Sequence, residues 1–482
     1  MRNVITRKQP LKYNTITDTD SYKFSHWVQY PKGTARMMSY FEARGGEFDE
    51  ATLFGLQYYM HMYLSETITH EMVDEAADFA LRHGEPFNEE GWRYVVNHYK
   101  GKLPVTIRAV PEGTCVPVSN ALLTIECDDE KCFWIVSWLE TMLVRLWYPS
   151  TVAMSSRESR KILRHYLQLT SDTPEQDLPF KLHDFGARGV ATLEQSRVGG
   201  GAHLLNFLGS DTVEGIRWAN HYYDCDMAGF SIPASEHSTV SMHGPDGEYT
   251  MFLHYIDHYL TNRTVPDGIP KLAACVSDTY NIFEATKFWC RPEVRQKIKD
   301  SNGTLVIRPD SGDPVTVLLE IFDIMERELG DEVTVNKKGY KVLPSYLRVI
   351  QGDGIDRHSM RDILQALMLK GWSATNIAFG SGGGLLQKLN RDTQKWAFKC
   401  CAALVNGQWV DVRKNPVTDR GKQSKAGRLD LVFIDSEGTQ YDTVALDEDT
   451  LEHVNSAMNT VFDMGDILYH TTFAECRARM GM

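Results

Sequence analysis

Between residues 179 and 398, short apolar stretches alternate with longer amphipathic ones, and few folds accommodate that alternation. The strand-length stretches are Pro179–His183, Leu272–Val276, Thr304–Ile307, Leu347–Gln351 and Asn376–Phe379. The helix-length stretches between them are Val190–Phe207, Thr212–Tyr223, Glu248–Tyr259, Tyr280–Phe288, Pro314–Glu328 and Ser359–Leu369. Strand, polar end and helix, repeated, predict an α/β unit with parallel strands. Polar residues gather where the strands end: His183-Asp184, Asp278, Arg308 to Asp310, and Asp353. Parallel α/β folds bind ligands at that edge. The expected fold is therefore α/β, an irregular TIM-like barrel with a site on one rim.

The flanks read differently. From Val105, V-T-I-R-A-V-P-E-G-T and V-P-V-S-N-A-L-L-T-I-E carry the alternation and turn residues of antiparallel strands. The tail returns to that texture in F-K-C-C-A-A-L-V, Gly407–Arg413 and Leu429–Ile434. Pairing of the tail with the N-terminal strands predicts a second, discontinuous α+β domain. It would comprise residues 1–150 and 399–482, around a barrel-like domain of residues 151–398. Trp134–Trp147 is expected as one apolar helix, Thr151–Leu169 as the next, and Phe473–Met480 as helix-like turns on the surface.

Composition limits the function. With 51 basic and 64 acidic residues the formal charge is -13, which argues against a nucleic-acid partner. Phosphorylated small molecules need only a local basic pocket. No apolar run reaches membrane-spanning length, and the first ten residues have no apolar signal core. Nine cysteines without a C-x-x-C pair fit a reducing cytoplasm.

Several motifs carry chemistry. A-F-G-S-G-G-G, Ala378–Gly384, is either a flexible linker or a nest of N–H groups for an anion, with Lys388, Arg391 and Lys399 following. It is not a P-loop, because no Lys-Ser/Thr follows at the required spacing. In R-P-D-S-G-D-P, Arg308 suits phosphate or carboxylate, and Asp310 suits sugar hydroxyls or Mg²⁺. Asp353 in Q-G-D-G is a second such carboxylate. H-D-F-G-A-R-G sets Phe185, a ring that can stack on a flat ligand, beside Arg188. Asp211 either caps a helix or accepts from an amide. His237 in A-S-E-H-S-T can be a base, nucleophile or phosphate acceptor if Asp278 orients it.

Together these residues resemble the nicotinamide phosphoribosyltransferase family. The resemblance runs from about Tyr13 to the loop near Gly427. It rests on T-D-S-Y-K (Thr19–Lys23), K-L-H-D-F-G-A-R-G (Lys181–Gly189), G-F-S-I-P-A-S-E-H-S-T (Gly229–Thr239) and S-D-T-Y (Ser277–Tyr280). I-R-P-D-S-G-D-P, L-R-V-I-Q-G-D-G and I-A-F-G-S-G-G-G-L-L-Q-K complete the set. The resemblance implies that nicotinamide and phosphoribosyl pyrophosphate (PRPP) give nicotinamide mononucleotide (NMN) and pyrophosphate. It implies that Phe185 stacks on nicotinamide opposite Tyr22 of a second subunit, that Asp211 accepts from the carboxamide, and that Arg308 positions the ring. It assigns Asp310, Asp353 and Gly354 to ribose, directly or through water and Mg²⁺. Arg188, Gly382 and Gly383 are assigned to phosphate. Arg44, Lys388, Arg391, Lys399 and Lys422 fall around pyrophosphate and ATP-derived phosphates. His237 matches a histidine transiently phosphorylated by ATP, and Asp278 the residue that orients it.

The implied protein is a cytoplasmic homodimer with shared sites, using ATP as coupled co-substrate. Two positions depart from the family pattern: Ala187 stands where animal members carry tyrosine, and Ala274 where a serine occurs near the base pocket. The nearest rival is a nicotinate phosphoribosyltransferase, from which Asp211 should discriminate, since a carboxylate repels the acid. A non-catalytic sensing or cytokine-like protein would not need His237 with both ribose carboxylates. A quinolinate-type transferase would want a more basic pocket.

Overall fold

The computed structural model describes residues 8–266, 269–418, 423–447 and 454–482. The chain divides into two compact units, Met1–Ser150 with Arg391–Thr471 and Thr151–Asn390 with Thr472–Met482. The seam at 398/399 expected from the strand texture thus lies eight residues earlier, and the last helix belongs to the α/β unit. Phe473–Met480 is helical as expected but is not a surface element: it buries Phe473, Cys476 and Met480, a stripe at helical spacing. Arg477 anchors it by donating to the carbonyl oxygens of Leu204, at 2.8 Å, and Ala228.

The α/β unit is built on a six-stranded parallel sheet. In spatial order the strands are Gly209–Ser210, Leu182–Asp184, Ile377–Ser381, Leu347–Gln351, Thr304–Arg308 and Leu272–Val276. Side chains alternate along each strand. Ala273, Cys275, Leu305, Ile307, Leu347, Val349, Ile377 and Phe379 enter the large core shared with the helices. Ala274, Val306 and Ile350 face the other way, where Phe185, Ile232, Leu272 and Ala378 pack on them.

The sheet does not form a complete eight-stranded TIM barrel. Its two edges are instead bridged by residues 230–235, which form no strand. Phe230 donates to Leu208 O at 2.7 Å and accepts from Ser210 N–H at 2.9 Å. At the opposite edge, Ala274 N–H donates to Pro233 O at 2.8 Å, and Ser235 N–H to Ala274 O at 3.1 Å. Pro233 has no N–H to give, so this stave cannot join the ladder as a regular strand.

Local chemistry explains the other displaced boundaries. Pro179 lies in a 3-10 turn, Leu178–Phe180, so its strand begins only at Leu182. The helix expected over Val190–Phe207 spans Leu193–His203, where the Thr192 hydroxyl caps Gln195 N–H at 3.0 Å. The two-residue strand Gly209–Ser210 is too short to show a period.

The other unit is organised by a seven-stranded antiparallel sheet. Its order is Gln408–Asp411, Trp396–Val405, Thr34–Ala43, Ala121–Cys127, Thr106–Ala109, Asn459–Asp463, Asp466–Ile467. The single helix expected at Trp134–Trp147 is broken into Ile135–Trp138 and Glu140–Val144, and a 24-residue helix, Trp147–Thr170, follows. Pro149 explains the second interruption: its ring is tolerated in the first turn of Trp147–Thr170 but would clash with the carbonyl of Arg145 if that helix ran on from Glu140–Val144.

Candidate active site

The six strands and the bridging stave end on one rim, and most of the polar residues singled out above stand there. Phe185 follows the Leu182–Asp184 strand. Its main chain is pinned by a 3.0 Å bond from its N–H to Ser381 O, and its half-buried ring lies on the Ala274, Val306 and Ile350 floor. Space for the ring exists because residues 380 and 352 are glycines. A Cβ at Gly380 would lie 1.9 Å from Phe185 Cε2, and one at Gly352 would lie 3.2 Å from it.

Asp211 follows the neighbouring strand end, its N–H donating to Asp184 O at 2.9 Å. Its exposed carboxylate accepts from the Ser231 hydroxyl, on the bridging stave. Asp184 lies fully buried beneath. Its Oδ1 accepts from Gly186 N–H at 2.7 Å, which shapes the turn between Phe185 and Arg188. Burial pushes its carboxyl up to about 6, and Asp211 adds to the shift while the Gly186 N–H opposes it. Burial also holds His183 below the usual imidazole range, against the opposing pull of Asp211. Arg188 is exposed in the turn after Phe185.

His237 opens the short helix His237–Ser241 and is about half exposed. Its Nε2 faces Asp310 Oδ2 at 3.5 Å and Asp278 Oδ1 at 3.7 Å, and its Nδ1 lies 3.2 Å from the Thr279 hydroxyl. Asp278 is itself held by the Asp310 N–H, at 3.1 Å, and by the Ser311 hydroxyl. Arg308 Nη2 lies 3.9 Å from Asp310 Oδ2. The chain thus brings the predicted His237, Asp278, Arg308 and Asp310 together. Thr279, Ser311 and Ser231 were not anticipated. Thr279 sits inside S-D-T-Y and was readable there, whereas Ser231 meets Asp211 only through the stave.

The glycine run plays two parts. Gly380 and Gly384 are required by close packing, since a Cβ at Gly384 would lie 2.3 Å from Ile355 O. Gly382 and Gly383 start the one-turn helix Gly383–Leu386, whose first N–H groups have no partner within the helix. Asp353 and Gly354 stand exposed in the adjacent turn. Gly354 adopts φ 68°, and Gln351 Nε2 ties the turn by donating to Asp353 O at 3.0 Å. Lys388, expected near phosphate, is engaged with Asp356 at 3.1 Å. No group of three or more His, Cys, Asp or Glu side chains able to hold a metal occurs among the described residues.

The antiparallel unit holds a separate cavity of about 360 Å³. Arg44, Arg391 and Lys399 line it, together with Glu140, Asp392, Lys395 and Lys414. Lys395 and Lys414 were missed, since neither belongs to a recognisable motif. Glu140 binds Lys23 at 2.7 Å and lies 4.0 Å from Lys399. Burial lowers the Lys399 pKa; Glu140 opposes that, while Arg44, Lys23 and Arg391 reinforce it. Tyr22 lies in the 3-10 helix Ser21–Val28, 56% exposed, its ring edge-on to His26 at 4.8 Å. Lys422 lies outside the described residues.

Known proteins resemble the chain throughout. Residues 180–466 match the nicotinate phosphoribosyltransferase (NAPRTase) family, and residues 14–107 match the N-terminal domain of nicotinamide phosphoribosyltransferase. A relative from Xanthomonas campestris pv. campestris (strain 8004), named nicotinamide phosphoribosyltransferase, is 48% identical over 467 residues, 96% of this chain and 97% of its own. A protein of that name from Acinetobacter baylyi (strain ATCC 33305 / BD413 / ADP1) is 28% identical, covering 97% of each. Among solved structures, nicotinate-nucleotide pyrophosphorylase from Pyrococcus furiosus superposes with a TM-score of 0.60 at 15% identity, covering 98% of this chain and 97% of that one. Human nicotinic acid phosphoribosyltransferase gives 0.54 at 16%, covering 96% and 93%. At these identities the two structures speak for the fold alone.

Proposed function

The chain belongs to the nicotinate phosphoribosyltransferase family, and we propose that within it the protein transfers the phosphoribosyl group of PRPP to nicotinamide, releasing pyrophosphate and forming NMN. One observation carries the choice of base: an exposed carboxylate, Asp211, stands at the strand end next to Phe185. A carboxamide N–H donates to it; the carboxylate of nicotinic acid is repelled.

In this reading Phe185 stacks on the pyridine ring and Arg308 fixes its edge. Asp310 and Asp353 take the ribose hydroxyls, and Gly354 lets the backbone turn beside them. Gly382, Gly383 and Arg188 hold the 5′-phosphate. The bond from the anomeric carbon to pyrophosphate breaks as the pyridine nitrogen bonds to that carbon through an oxocarbenium-like state. The pyridine nitrogen carries a free lone pair, so no general base is required, and the protein's work is positioning and charge neutralisation. Asp310 and Asp353 suit a Mg²⁺ held through water, which would neutralise the departing pyrophosphate.

His237 accepts the γ-phosphoryl group of ATP on an imidazole nitrogen, with ADP leaving; hydrolysis of the phosphohistidine restores it. Asp310 and Asp278, at 3.5 and 3.7 Å from Nε2, and the Thr279 hydroxyl, at 3.2 Å from Nδ1, orient the imidazole ring for this step. A second copy of the chain supplies Tyr22 to the other face of the base, and Arg44, Arg391, Lys399 and Lys422, some of them from that second copy, surround the phosphates. The protein so read is a cytoplasmic homodimer, and the strap over residues 230–235 supports describing the α/β unit as an irregular barrel. No helix among the described residues is long and apolar enough to cross a membrane.

Initial rates with nicotinamide and with nicotinic acid, at saturating PRPP and with or without ATP, test the proposal. Faster turnover of nicotinamide is expected. Preference for nicotinic acid would reassign the base, and no NMN at all would remove the activity.

A further inference from the structure

The basic cavity of the antiparallel unit contains a cation in an unfavourable backbone conformation. Lys395 has φ 51°, in the left-handed region that a residue with a Cβ enters at a cost. Seven described non-glycine residues have positive φ: Lys100, Ser119, Asp224, Asn302, Lys395, Asn406 and Met464. Of these, Lys395 is the one that lines the basic cavity.

Its surroundings explain the conformation. Arg391–Thr393 forms a 3-10 turn that must enter the Trp396–Val405 strand within two residues. Lys395 N–H donates to Asp392 O at 3.2 Å, and Lys395 O accepts from Arg44 N–H at 3.4 Å. Both neighbours are fastened inward. Gln394 is fully buried and donates to Glu50 O at 2.8 Å, and Trp396 stacks on Phe41 with ring centroids 4.8 Å apart. The side chain between them is left on the cavity side.

The charge balance gives that side chain a use. Arg44, Arg391, Lys395, Lys399 and Lys414 face two acids, Glu140 and Asp392. Arg44 is bound to Glu42 at 2.7 Å, and Glu140 to Lys23. Lys395 forms no ion pair among the described residues. Asparagine or glycine would fit the backbone better, so the lysine carries a structural cost at this position.

We propose that Lys395 is a further anion-binding residue of this cavity, held by its left-handed backbone against a di- or triphosphate chain gripped by Arg391 and Lys399. The inference rests on the reading of the cavity as the pyrophosphate and ATP-phosphate pocket.

The test is calorimetric titration of the full-length protein with inorganic pyrophosphate at two or more salt concentrations. Lys395→Asn keeps a residue tolerant of positive φ and removes the charge. Lys395→Gly removes both strain and charge, and Lys395→Arg keeps the charge. The first two should melt at or above the wild-type temperature yet bind pyrophosphate about 5- to 10-fold more weakly at low salt, with a shallower salt dependence. Lys395→Arg should stay within about 3-fold of wild type. Wild-type affinity and salt slope in Lys395→Asn and Lys395→Gly would overturn the assignment of Lys395 while leaving the pocket intact. Failure of the wild-type protein to bind pyrophosphate would overturn the pocket, and this inference with it.

Discussion

Gly380→Ala tests the base site through its geometry. The new Cβ would sit 1.9, 2.2 and 2.6 Å from Phe185 Cε2, Cδ2 and Cζ. Carbon atoms pack at roughly 3.5 Å, so the ring must retreat by about 1.5 Å or more. It cannot sink, because Ala274, Val306 and Ile350 lie beneath, and its main chain is tied to Ser381. It must swing into the space assigned to nicotinamide. Stacking of a base on an aromatic side chain contributes about 1–3 kcal/mol. Its loss corresponds to roughly a 5- to 150-fold rise in KM for nicotinamide, at about 1.4 kcal/mol per tenfold. Overpacking adds about 1–3 kcal/mol of destabilisation. Gly352→Ala is the graded control: its Cβ meets Phe185 at 3.2 Å and Asp310 Oδ1 at 3.4 Å, distances that small shifts relieve. Initial rates of NMN formation, with nicotinamide varied at saturating PRPP, should separate the two variants while KM for PRPP moves little. A folded Gly380→Ala protein with wild-type KM for nicotinamide would refute the stacking role of Phe185.

Asp211→Asn should erode the preference for nicotinamide over nicotinic acid by about tenfold, because the like-charge repulsion against the acid is removed; an unchanged ratio of kcat/KM values would detach selectivity from this residue. His237→Ala should lose stimulation by ATP to a greater degree than transfer in its absence, and retention of full stimulation would exclude it as the phosphate acceptor. Asp184 has a pH signature. Its carboxyl is pushed up to about 6 in the folded protein, against about 3.9 in the unfolded chain. The native state binds that proton more tightly, so stability falls as pH rises from about 4 through 6 and the penalty, on the order of 3 kcal/mol, is complete above that. Asp184→Asn keeps an acceptor for Gly186 N–H, so it should melt above wild type at pH 7.5, with the gap closing toward pH 4. Equal melting curves at both pH values would contradict a buried anion at this position.

Much of the α/β unit was legible because burial on both sides of a parallel strand leaves a compact apolar run, and Thr304–Arg308, Leu347–Gln351 and Ile377–Ser381 all carry one. The rim was legible too, because chemistry-bearing residues such as Arg308, Asp310 and Asp353 follow those runs directly. Segments whose structure depends on distant partners were not. The stave of residues 230–235 bridges two sheet edges without a strand pattern of its own, and Gly209–Ser210 exists as a strand only beside Leu182–Asp184. Phe473–Met480 shows a stripe too short to announce where it docks.

The glycines of Ala378–Gly384 mark the division most clearly. Sequence alone showed a strand leading into the run, which continues through Ser381, and the motif's chemistry suggested an anion nest. Only the tertiary structure decided that Gly380 makes room for Phe185 and Gly384 for Ile355, leaving Gly382 and Gly383 at the rim. Likewise the charges of Arg44, Arg391 and Lys399 were written in the chain, but their convergence with Lys395 and Lys414 required strands far apart in sequence to pair. Local periodicity reports which face of an element is buried; it carries no term for what a distant segment will place against that face.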